Sequence, residues 1–392
     1  AIAIDMKGTV WAATRAGVFR LDRSRKHWNL AADIGPSFDI AIDDSNTIYV
    51  GAWNGLHQAS GKEFKRLPGI ESPVSTLCVI NKKLYAFGPR EHWVVESGKA
   101  KEVEIQATRS IGSAISDHNG GILLATQMGL YRHSNDAATS GYQFQDQLIS
   151  ADVRDVLYSQ DGNIWIAGLG GVTVLKDSQV VTKHDGEVLS SIDVRCLEQG
   201  PDGRMWVGTG LGVMRYDGSN WSHRFSKRWL VDDDVRDIAF DNKGNAWIAT
   251  AGGISAIKTK QMTLVEKAAH YDRICQERHV RAPGLVEKCF LKVPGDVSSW
   301  QPMDDDNDGQ YTSFYLVMES FRYGATKDPQ AKAKAKRAFE ALRLLQTVTE
   351  TPGFVARTVV PVDWKQMKDP NHTYTEVELA ERVVEDPRNK YV

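Results

Sequence analysis

An acidic loop at residues 300–313 carries the densest group of side chains capable of chemistry. Asp304, Asp306 and Asp308, followed by a glycine, match the first half of a calcium-binding loop, in which alternate carboxylates surround the ion. The twelfth position of such a loop should also be a carboxylate, and here it is Tyr315. A standard EF-hand is therefore excluded, and a non-standard Ca²⁺ site on the three aspartates is one hypothesis.

Two other interpretations of this loop are open. Residues 306–308 could cap the helix that follows, because carboxylates are stabilised at the positive end of a helix dipole. Alternatively, the acidic, amide and aromatic side chains of Trp300, Asp306, Asn307 and Asp308 could form a sugar-binding rim. We expect no organic cofactor in either case.

The composition is that of a globular protein without a strong electrostatic bias. The 392 residues are 42% hydrophobic and 25% charged, and the formal net charge is −2. Such a balance does not recruit nucleic acid, and no apolar run approaches the ~20 residues of a membrane-spanning helix. We therefore expect neither a nucleic-acid partner nor a transmembrane segment. Cys275 and Cys289 could form a disulfide, although free thiols are the favoured interpretation.

A short phrase recurs seven times in the first two-thirds of the chain: a polar turn, an aromatic or apolar anchor, and small residues with glycine. A period near forty residues, with one cluster of short strands per repeat, is typical of a β-propeller. We therefore predict a seven-bladed β-propeller over residues 1–260. The anchors are Trp11, Tyr49, Tyr85, Leu123, Trp165, Trp206 and Trp247, spaced by 38, 36, 38, 42, 41 and 41 residues.

Side chains within the repeats divide into structural and ligand-binding candidates. The recurring anchors are predicted to pack in the core, whereas Trp53, Trp93 and Trp229 lie outside the pattern and are better candidates for a ligand. An Asp-Val-Arg triplet also recurs, with arginines at 154, 195 and 236. These arginines could form a ring for an anion, but pairing with aspartate of the next blade is the favoured interpretation.

The repeats resemble the two-component-regulator-type propeller repeat, which is common in the periplasmic sensor region of hybrid histidine kinases of gut Bacteroidetes. The resemblance covers residues 1 to about 260. It implies a fold more than an activity, since propellers support many functions.

The period ends after Lys258, and helical patterns follow. We predict helices from Met262 to about Val280, over 311–323, from 329 to about 348, and from Thr375, where Glu378 completes a capping box. Helices joined by long polar loops suggest an all-α (α/α)6 toroid-type domain at 261–392 that is incomplete in this chain. The predicted buried stripes are Phe314, Val317, Met318 and Phe321 on the second helix, and Phe339, Leu342 and Leu345 on the third.

Three segments of this helical stretch resemble the start of the catalytic barrel in the L-rhamnose-α1,4-D-glucuronate lyases: 304–315, 319–329 and 351–357. Those enzymes join a propeller to an (α/α)6 barrel and remove rhamnose caps from plant arabinogalactan proteins. The resemblance implies a polysaccharide lyase with an arabinogalactan-type glycan as substrate. It also implies an exported protein, periplasmic or on the cell surface.

A uronate lyase neutralises the C5 carboxylate, removes the C5 proton and assists departure of O4. The resemblance implies a tyrosine base, for which Tyr311, Tyr315 and Tyr323 are the candidates, and His270 and His279 could orient groups or move protons. Tyr315 and Arg322 are seven residues apart and share a helix face. The candidates for binding the substrate carboxylate are Arg273, Arg281, Arg322 and Arg357.

Two alternatives to the lyase remain. An (α/α)6 glycoside hydrolase would need a carboxylic acid, which Asp305 or Asp306 could supply. A non-enzymatic glycan-binding or sensor propeller is the other alternative. The lysines at 332, 334 and 336 have no interleaved aromatic residues and are predicted to form a solvated face.

Overall fold

The computed structural model describes most of the chain as far as residue 373. The residues outside the description are 23, 25, 26, 62, 97, 107–109, 118, 119, 135–139, 294, 305, 306, 362, 363, 365–367, 370, 371 and 374–392. Contacts divide the chain into two compact units, Ala1–Thr259 and Lys260–Val392.

The first unit is a seven-bladed β-propeller in which each blade is one antiparallel sheet. Six blades have four strands. The seventh has three strands among the described residues, which run without a gap through 236–293. The strands are β1 Ile2–Ile4, β2 Val10–Thr14, β3 Gly17–Leu21, β4 Trp28–Ala32; β5 Ser37–Ile42, β6 Ile48–Ala52, β7 Gly55–Ser60, β8 Glu63–Arg66; β9 Thr76–Ile80, β10 Lys83–Phe87, β11 His92–Glu96, β12 Lys99–Glu102; β13 Ile111–Ser116, β14 Ile122–Thr126, β15 Gly129–His133, β16 Gly141–Gln143; β17 Val153–Tyr158, β18 Ile164–Gly168, β19 Gly171–Lys176, β20 Gln179–His184; β21 Val194–Gln199, β22 Met205–Thr209, β23 Gly212–Tyr216, β24 Trp221–Arg224; and β25 Val235–Phe240, β26 Ala246–Thr250, β27 Gly253–Ile257.

The repeated anchors all lie on the second strand of their blades, as the sequence predicts. Six of the seven are buried, with exposed fractions between 4% for Trp206 and 8% for Trp11, and Tyr85 is half-buried. They pack against residues of the neighbouring blade; Trp11, for example, meets Phe64 edge-on at 6.0 Å between ring centroids. The anchors therefore form the core between blades and are not sugar platforms.

The recurring Asp-Val-Arg triplets form a ladder of ion pairs across three blades. Arg154 pairs with Asp152 of its own blade and with Asp193 of the next, and Arg195 pairs with Asp193 and Asp234 in the same way. Each arginine occupies a β-bulge at the start of the first strand, which turns its side chain along the rim instead of into the pleat. The inter-blade interpretation of these arginines is confirmed.

Carboxylates on the innermost strands join blades that follow one another around the ring. The Asp39 carboxylate accepts the backbone N–H of Leu77 at 2.7 Å, and Asp155 accepts that of Leu197 at 2.7 Å. Asp237 of the last blade accepts the N–H of Ile2 in the first blade at 2.7 Å and so closes the ring. Because these groups face one another at the centre of the propeller, their charges interact.

Burial raises the pKa of these central acids. The pKa of Asp39 is about 7, first from desolvation and then from the charge of Asp237, and that of Asp155 is about 6. Desolvation, followed by the charges of Asp237 and Asp155, raises the pKa of Glu198 to about 8. The folded propeller therefore favours the protonated form of several carboxyl groups that are ionised in the unfolded chain above pH 5.

This arrangement predicts that the propeller loses stability as pH rises. Each acid has a higher pKa folded than unfolded, so the loss begins near the unfolded values and is complete above about pH 8. We expect Glu198→Gln to leave the melting temperature unchanged at pH 4 and to raise it by roughly 2–4 °C at pH 9, the shift that about 1 kcal/mol produces at this size. Calorimetry measures the melting temperatures, with Glu63→Gln at an exposed position as the control. If wild type and the Glu198→Gln variant have the same melting temperature at pH 4 and also at pH 9, the prediction is contradicted.

The second unit contains three helices among its described residues, together with short strand pairs. Thr263 and Glu266 form a capping box at the start of α1, and the Asp328 side chain caps α3. The elements are α1 Leu264–Ile274, followed by a π-helical turn Cys275–His279; β28 Val280–Arg281; β29 Leu285–Val286; β30 Cys289–Leu291; a 3₁₀ turn Val297–Ser299; β31 Trp300–Pro302; α2 Asp308–Thr326; α3 Pro329–Thr347; β32 Lys368–Asp369; and β33 His372–Thr373.

The predicted buried face of α2 is wrong. Phe314, Val317, Met318 and Phe321 are exposed by 40–77%. The opposite face is buried, and three of its four buried side chains are small, acidic or polar. A buried ion-pair network with α1 and α3 holds that face inward, so polar partners outweigh the hydrophobic pattern. The buried residues are Asp308, Thr312, Tyr315 and Glu319.

The third helix agrees with its prediction only in part. Leu345 is buried and Leu342 packs at the edge of the same cluster, but Phe339 is 52% exposed. Alanines occupy the contact instead and allow α2 and α3 to approach closely. Three helices do not make a ring, so the toroid stays a prediction, and the helix predicted from Thr375 lies outside the described residues. None of the described helices is both long and apolar enough to cross a membrane.

Candidate functional sites

One face of the propeller concentrates exposed apolar side chains. It carries the turns between the second and third strands of each blade and the connections between blades, and we call it the connection face. Met6, in contrast, lies in a turn of the opposite face, and Leu30 and Val181 lie on outermost strands. The connection face exposes Phe38, Trp53, Met128, Leu169, Val188, Ile192, Leu211, Phe225, Trp229 and Val231, each by 40–56%. Exposed apolar side chains gathered on one face indicate a binding surface.

The three tryptophans singled out as ligand candidates separate into two groups. Trp53 is 54% exposed in the turn between β6 and β7, where it lies against Gly35. Trp229 is 40% exposed in the connection between blades 6 and 7, with the Arg224 guanidinium 5.2 Å from its ring centroid. Trp93 is only 5% exposed and belongs to the core between blades 2 and 3, so it is not a ligand candidate.

A cavity of about 440 Å³ in the helical unit brings together three of the proposed acid–base residues. Tyr311, Tyr315 and His279 line it with Lys288 and the apolar side chains of α2. His279 donates from Nδ1 to the carbonyl oxygen of Glu287 at 2.8 Å, which leaves Nε2 as the unprotonated nitrogen of the neutral ring.

A charged network fixes the wall of this cavity. Asp272 on α1 accepts from Arg322 at 3.0 Å, from Lys334 of α3 at 2.5 Å, and from the Tyr315 hydroxyl at 3.4 Å. Burial, followed by the charges of Glu319 and Asp272, raises the pKa of Tyr315. A phenol in this environment keeps its proton at neutral pH and is a weaker acid than a free tyrosine.

Arg281 and Asp308 form a buried ion pair beside this cavity. Arg281 also donates to the carbonyl oxygen of Val359 at 2.8 Å and to Thr358 Oγ1 at 2.8 Å. Burial outweighs the charge of Arg281 and raises the pKa of Asp308 to about 8. Arg281, a candidate for binding the substrate carboxylate, and Asp308, a candidate for binding Ca²⁺ or a sugar, are therefore already paired with each other.

The calcium hypothesis rests on Asp304, Asp306 and Asp308. Asp304 and Asp308 are buried, with exposed fractions of 3% and 0%, and Asp306 lies outside the described residues. No group of three metal-binding side chains occurs among the residues that the structure describes. A Ca²⁺ site on this loop stays a prediction. Asp305, the other hydrolase candidate, is also outside the description.

The remaining predicted residues lie away from the cavity lining. Arg273 is exposed and pairs with Glu277 one turn along at 3.3 Å, and Tyr323 lies under the ammonium groups of Lys327 and Lys332. His270 stacks edge-on against Tyr271 at 5.3 Å. Trp300 and Asn307 are half-buried and Arg357 is exposed. The structure does not bring these side chains together with Tyr311 and His279.

Sequence reasoning missed the acidic centre of the helical unit. Asp272 and Glu319 were not candidates because single acids on amphipathic helices usually face solvent. A usable signal was present: α2 places polar residues at 308, 312, 315 and 319, spaced like a buried stripe, beside the more obvious apolar one.

The network predicts that removing Asp272, its central acceptor, lowers the unfolding free energy of the helical unit substantially. Asp272→Ala leaves Arg322 and Lys334 without their shared partner, and we expect the helical unit to lose about 3–5 kcal/mol of unfolding free energy. Glu277→Ala removes only an exposed pair with Arg273 and should cost no more than about 0.5 kcal/mol. Urea unfolding followed by helical circular dichroism measures both, and similar losses in the two variants would disprove the network's role.

Comparisons with known proteins agree with the propeller. The family model "Two component regulator propeller" matches residues 188–210, which span the end of one blade connection and the first two strands of blade 6. No curated protein matches the chain.

Solved structures extend the likeness to the whole propeller. The extracellular domain of a protein described as a hybrid two component system from B. thetaiotaomicron aligns with a TM-score of 0.56 and 18% identity over 66% of this chain and 39% of its own. A second such domain from the same organism aligns with 0.57 and 17% over 67% and 38%. Virginiamycin B lyase from Staphylococcus aureus aligns with 0.53 and 11% over 66% and 94%. This chain thus spans about two-fifths of the two sensor domains, and at these identities the likeness shows the fold alone.

Proposed function

We propose that the propeller is a non-enzymatic recognition module of an exported protein and that it binds a carbohydrate on its connection face. The observation that carries this proposal is the concentration of exposed apolar side chains, including Trp53 and Trp229, on that single face. Flat indole rings offer sugar C–H groups a stacking surface with little entropy loss, and nearby arginines supply hydrogen bonds. The extracellular sensor domains with this fold support an exported location.

Binding to oligosaccharides tests this function. Calorimetric titration of the full chain with neutral and acidic plant oligosaccharides should show micromolar to millimolar affinity. Trp53→Ala and Trp229→Ala should each weaken it about ten-fold, the equivalent of roughly 1.4 kcal/mol of lost stacking. Phe339→Ala, which removes an equally exposed ring from α3, is the matched control. Tryptophan variants that bind as tightly as wild type would refute the proposal, and binding of a protein in place of any sugar would reassign the face.

A uronate lyase in the helical unit is the second candidate, and the cavity at Tyr311, Tyr315 and His279 favours it. In this reaction a base takes the C5 proton, the C4–O4 bond breaks, a C4=C5 double bond forms and O4 receives a proton. Tyr315 lines the same cavity with its hydroxyl protonated and is the candidate for delivering that proton. Tyr311, 36% exposed in the same cavity, is then the base, and Lys288 stands where it can face the substrate carboxylate.

The lyase candidate predicts an ultraviolet absorbance that grows as rhamnosyl-glucuronate glycans are converted to unsaturated products. Tyr311→Phe removes the base and should lower the rate at least about 100-fold. Tyr271→Phe changes an exposed tyrosine of α1 outside the cavity and should leave the rate unchanged. An absent signal with wild-type protein, or equal rates for the two variants, would remove this candidate and leave the carbohydrate-binding proposal standing.

A further inference from the structure

Blades 5 and 6 present equivalent surfaces to the blade that follows each of them, but only the surface of blade 5 meets a fourth strand among the described residues. In blade 5 the relevant positions are Val174 and His184, exposed by 2% and 8%. Tyr216 and Trp221, from the third and fourth strands of blade 6, pack over His184 at 5.4 and 5.0 Å between ring centroids. A complete neighbouring blade thus seals the outer part of this surface.

The equivalent positions of blade 6 are arginines. Arg215 lies opposite Trp206 across β22 and β23, and Arg224 lies opposite Val213, so both point toward blade 7 as Val174 and His184 point toward blade 6. Trp206 and Val213 pack into the core with blade 7. Blade 7 ends with β27, and no fourth strand follows within the described stretch 251–293. The described propeller residues therefore place no fourth-strand side chain over this surface as Trp221 is placed over blade 5.

The two arginines make no ion pair with a described residue. Backbone N–H groups of Asn220 and Ser219, followed by the charges of Arg204 and Arg215, lower the pKa of the exposed Asp217. Neither guanidinium makes an ion pair or hydrogen bond with a described residue; Arg215 lies 5.8 Å from the Trp206 centroid with its Nε buried and unpartnered, and Arg224 lies 5.2 Å from that of Trp229. Burial, then repulsion from Arg215 and Arg204, lowers the pKa of Arg224. The ladder arginines 154, 195 and 236, in contrast, each pair with an aspartate. Two adjacent unpaired cations at a half-buried site would be stabilised by an anion from outside.

We propose that Arg215 and Arg224, with Trp229, form a subsite for an anionic sugar residue at the open edge of blade 6. This inference rests on the proposed carbohydrate binding and specifies its ligand class. The sugar ring stacks on Trp229, which reaches the connection face, and its carboxylate or sulfate accepts hydrogen bonds from Arg224 and Arg215. The anion completes the charge balance that an acidic side chain supplies at Arg154 and Arg195.

Titration of the full chain with three matched probes tests the subsite. The probes are a hexuronate trisaccharide, its carboxyl-reduced neutral counterpart, and the same neutral trisaccharide carrying a sulfate ester. We expect wild type to bind the hexuronate at least about ten-fold more tightly than the neutral sugar at low salt, with the advantage shrinking as ionic strength rises. The sulfate ester distinguishes a general anion subsite, which binds both charged sugars, from one selective for the planar carboxylate.

Charge-changing variants identify the residues. Arg224→Gln and Arg215→Gln should abolish the preference for the charged sugar while leaving neutral-sugar affinity unchanged, and Arg224→Lys should restore part of it. Arg66→Gln, an exposed arginine of blade 2 paired with Glu71, is the matched control and should change nothing. Equal wild-type affinity for the charged and neutral sugars overturns the subsite but not carbohydrate binding, whereas binding of none of the probes overturns both. A preference that survives Arg224→Gln also overturns the assignment.

Discussion

The propeller depends on non-covalent contacts that close its sheets into a ring. Each sheet belongs to a single blade, so the joints between blades depend largely on side chains. At the joint between the last and first blades, Asp237 accepts the N–H of Ile2, and Trp247 packs with Ile2 and Val10. The same carboxylate-to-backbone joint recurs at Asp39 and Asp155. The ring therefore holds several acids at its centre and tolerates their desolvation because each one bridges two blades.

Ring geometry also explains where the propeller can bind a ligand. Core anchors and central acids occupy the interior, which leaves the connection face and the outer edges for recognition. The connection face combines apolar loop tips with a paired Arg–Asp ladder along its rim. Where blade 7 is narrower than its neighbours, Arg215 and Arg224 stay without partners. Positions that are core in blade 5, such as His184, thus carry a charge in blade 6.

The helical unit follows a different physical rule. Its three helices meet through Asp272, Arg322 and Lys334, with apolar packing around Ala338 between α2 and α3 and around Leu345 near the end of α3. A polar interface of this kind orients side chains sharply, because each donor has a defined acceptor. It also leaves the aromatic stripe of α2 exposed, with Tyr311 at the mouth of the cavity.

The sequence by itself determined the propeller, its seven blades and the buried anchors, and it favoured the pairing of the Arg–Asp triplets over an anion-binding ring. These follow from periodicity, since a side chain repeated at one position in every blade must meet the same neighbour each time. Only the tertiary structure decided that Trp93 is core while Trp53 is exposed, and that α2 buries Glu319 instead of Phe321. Those outcomes depend on contacts between segments distant in the chain, where a buried ion pair can outweigh an apolar stripe that local pattern alone would place inside.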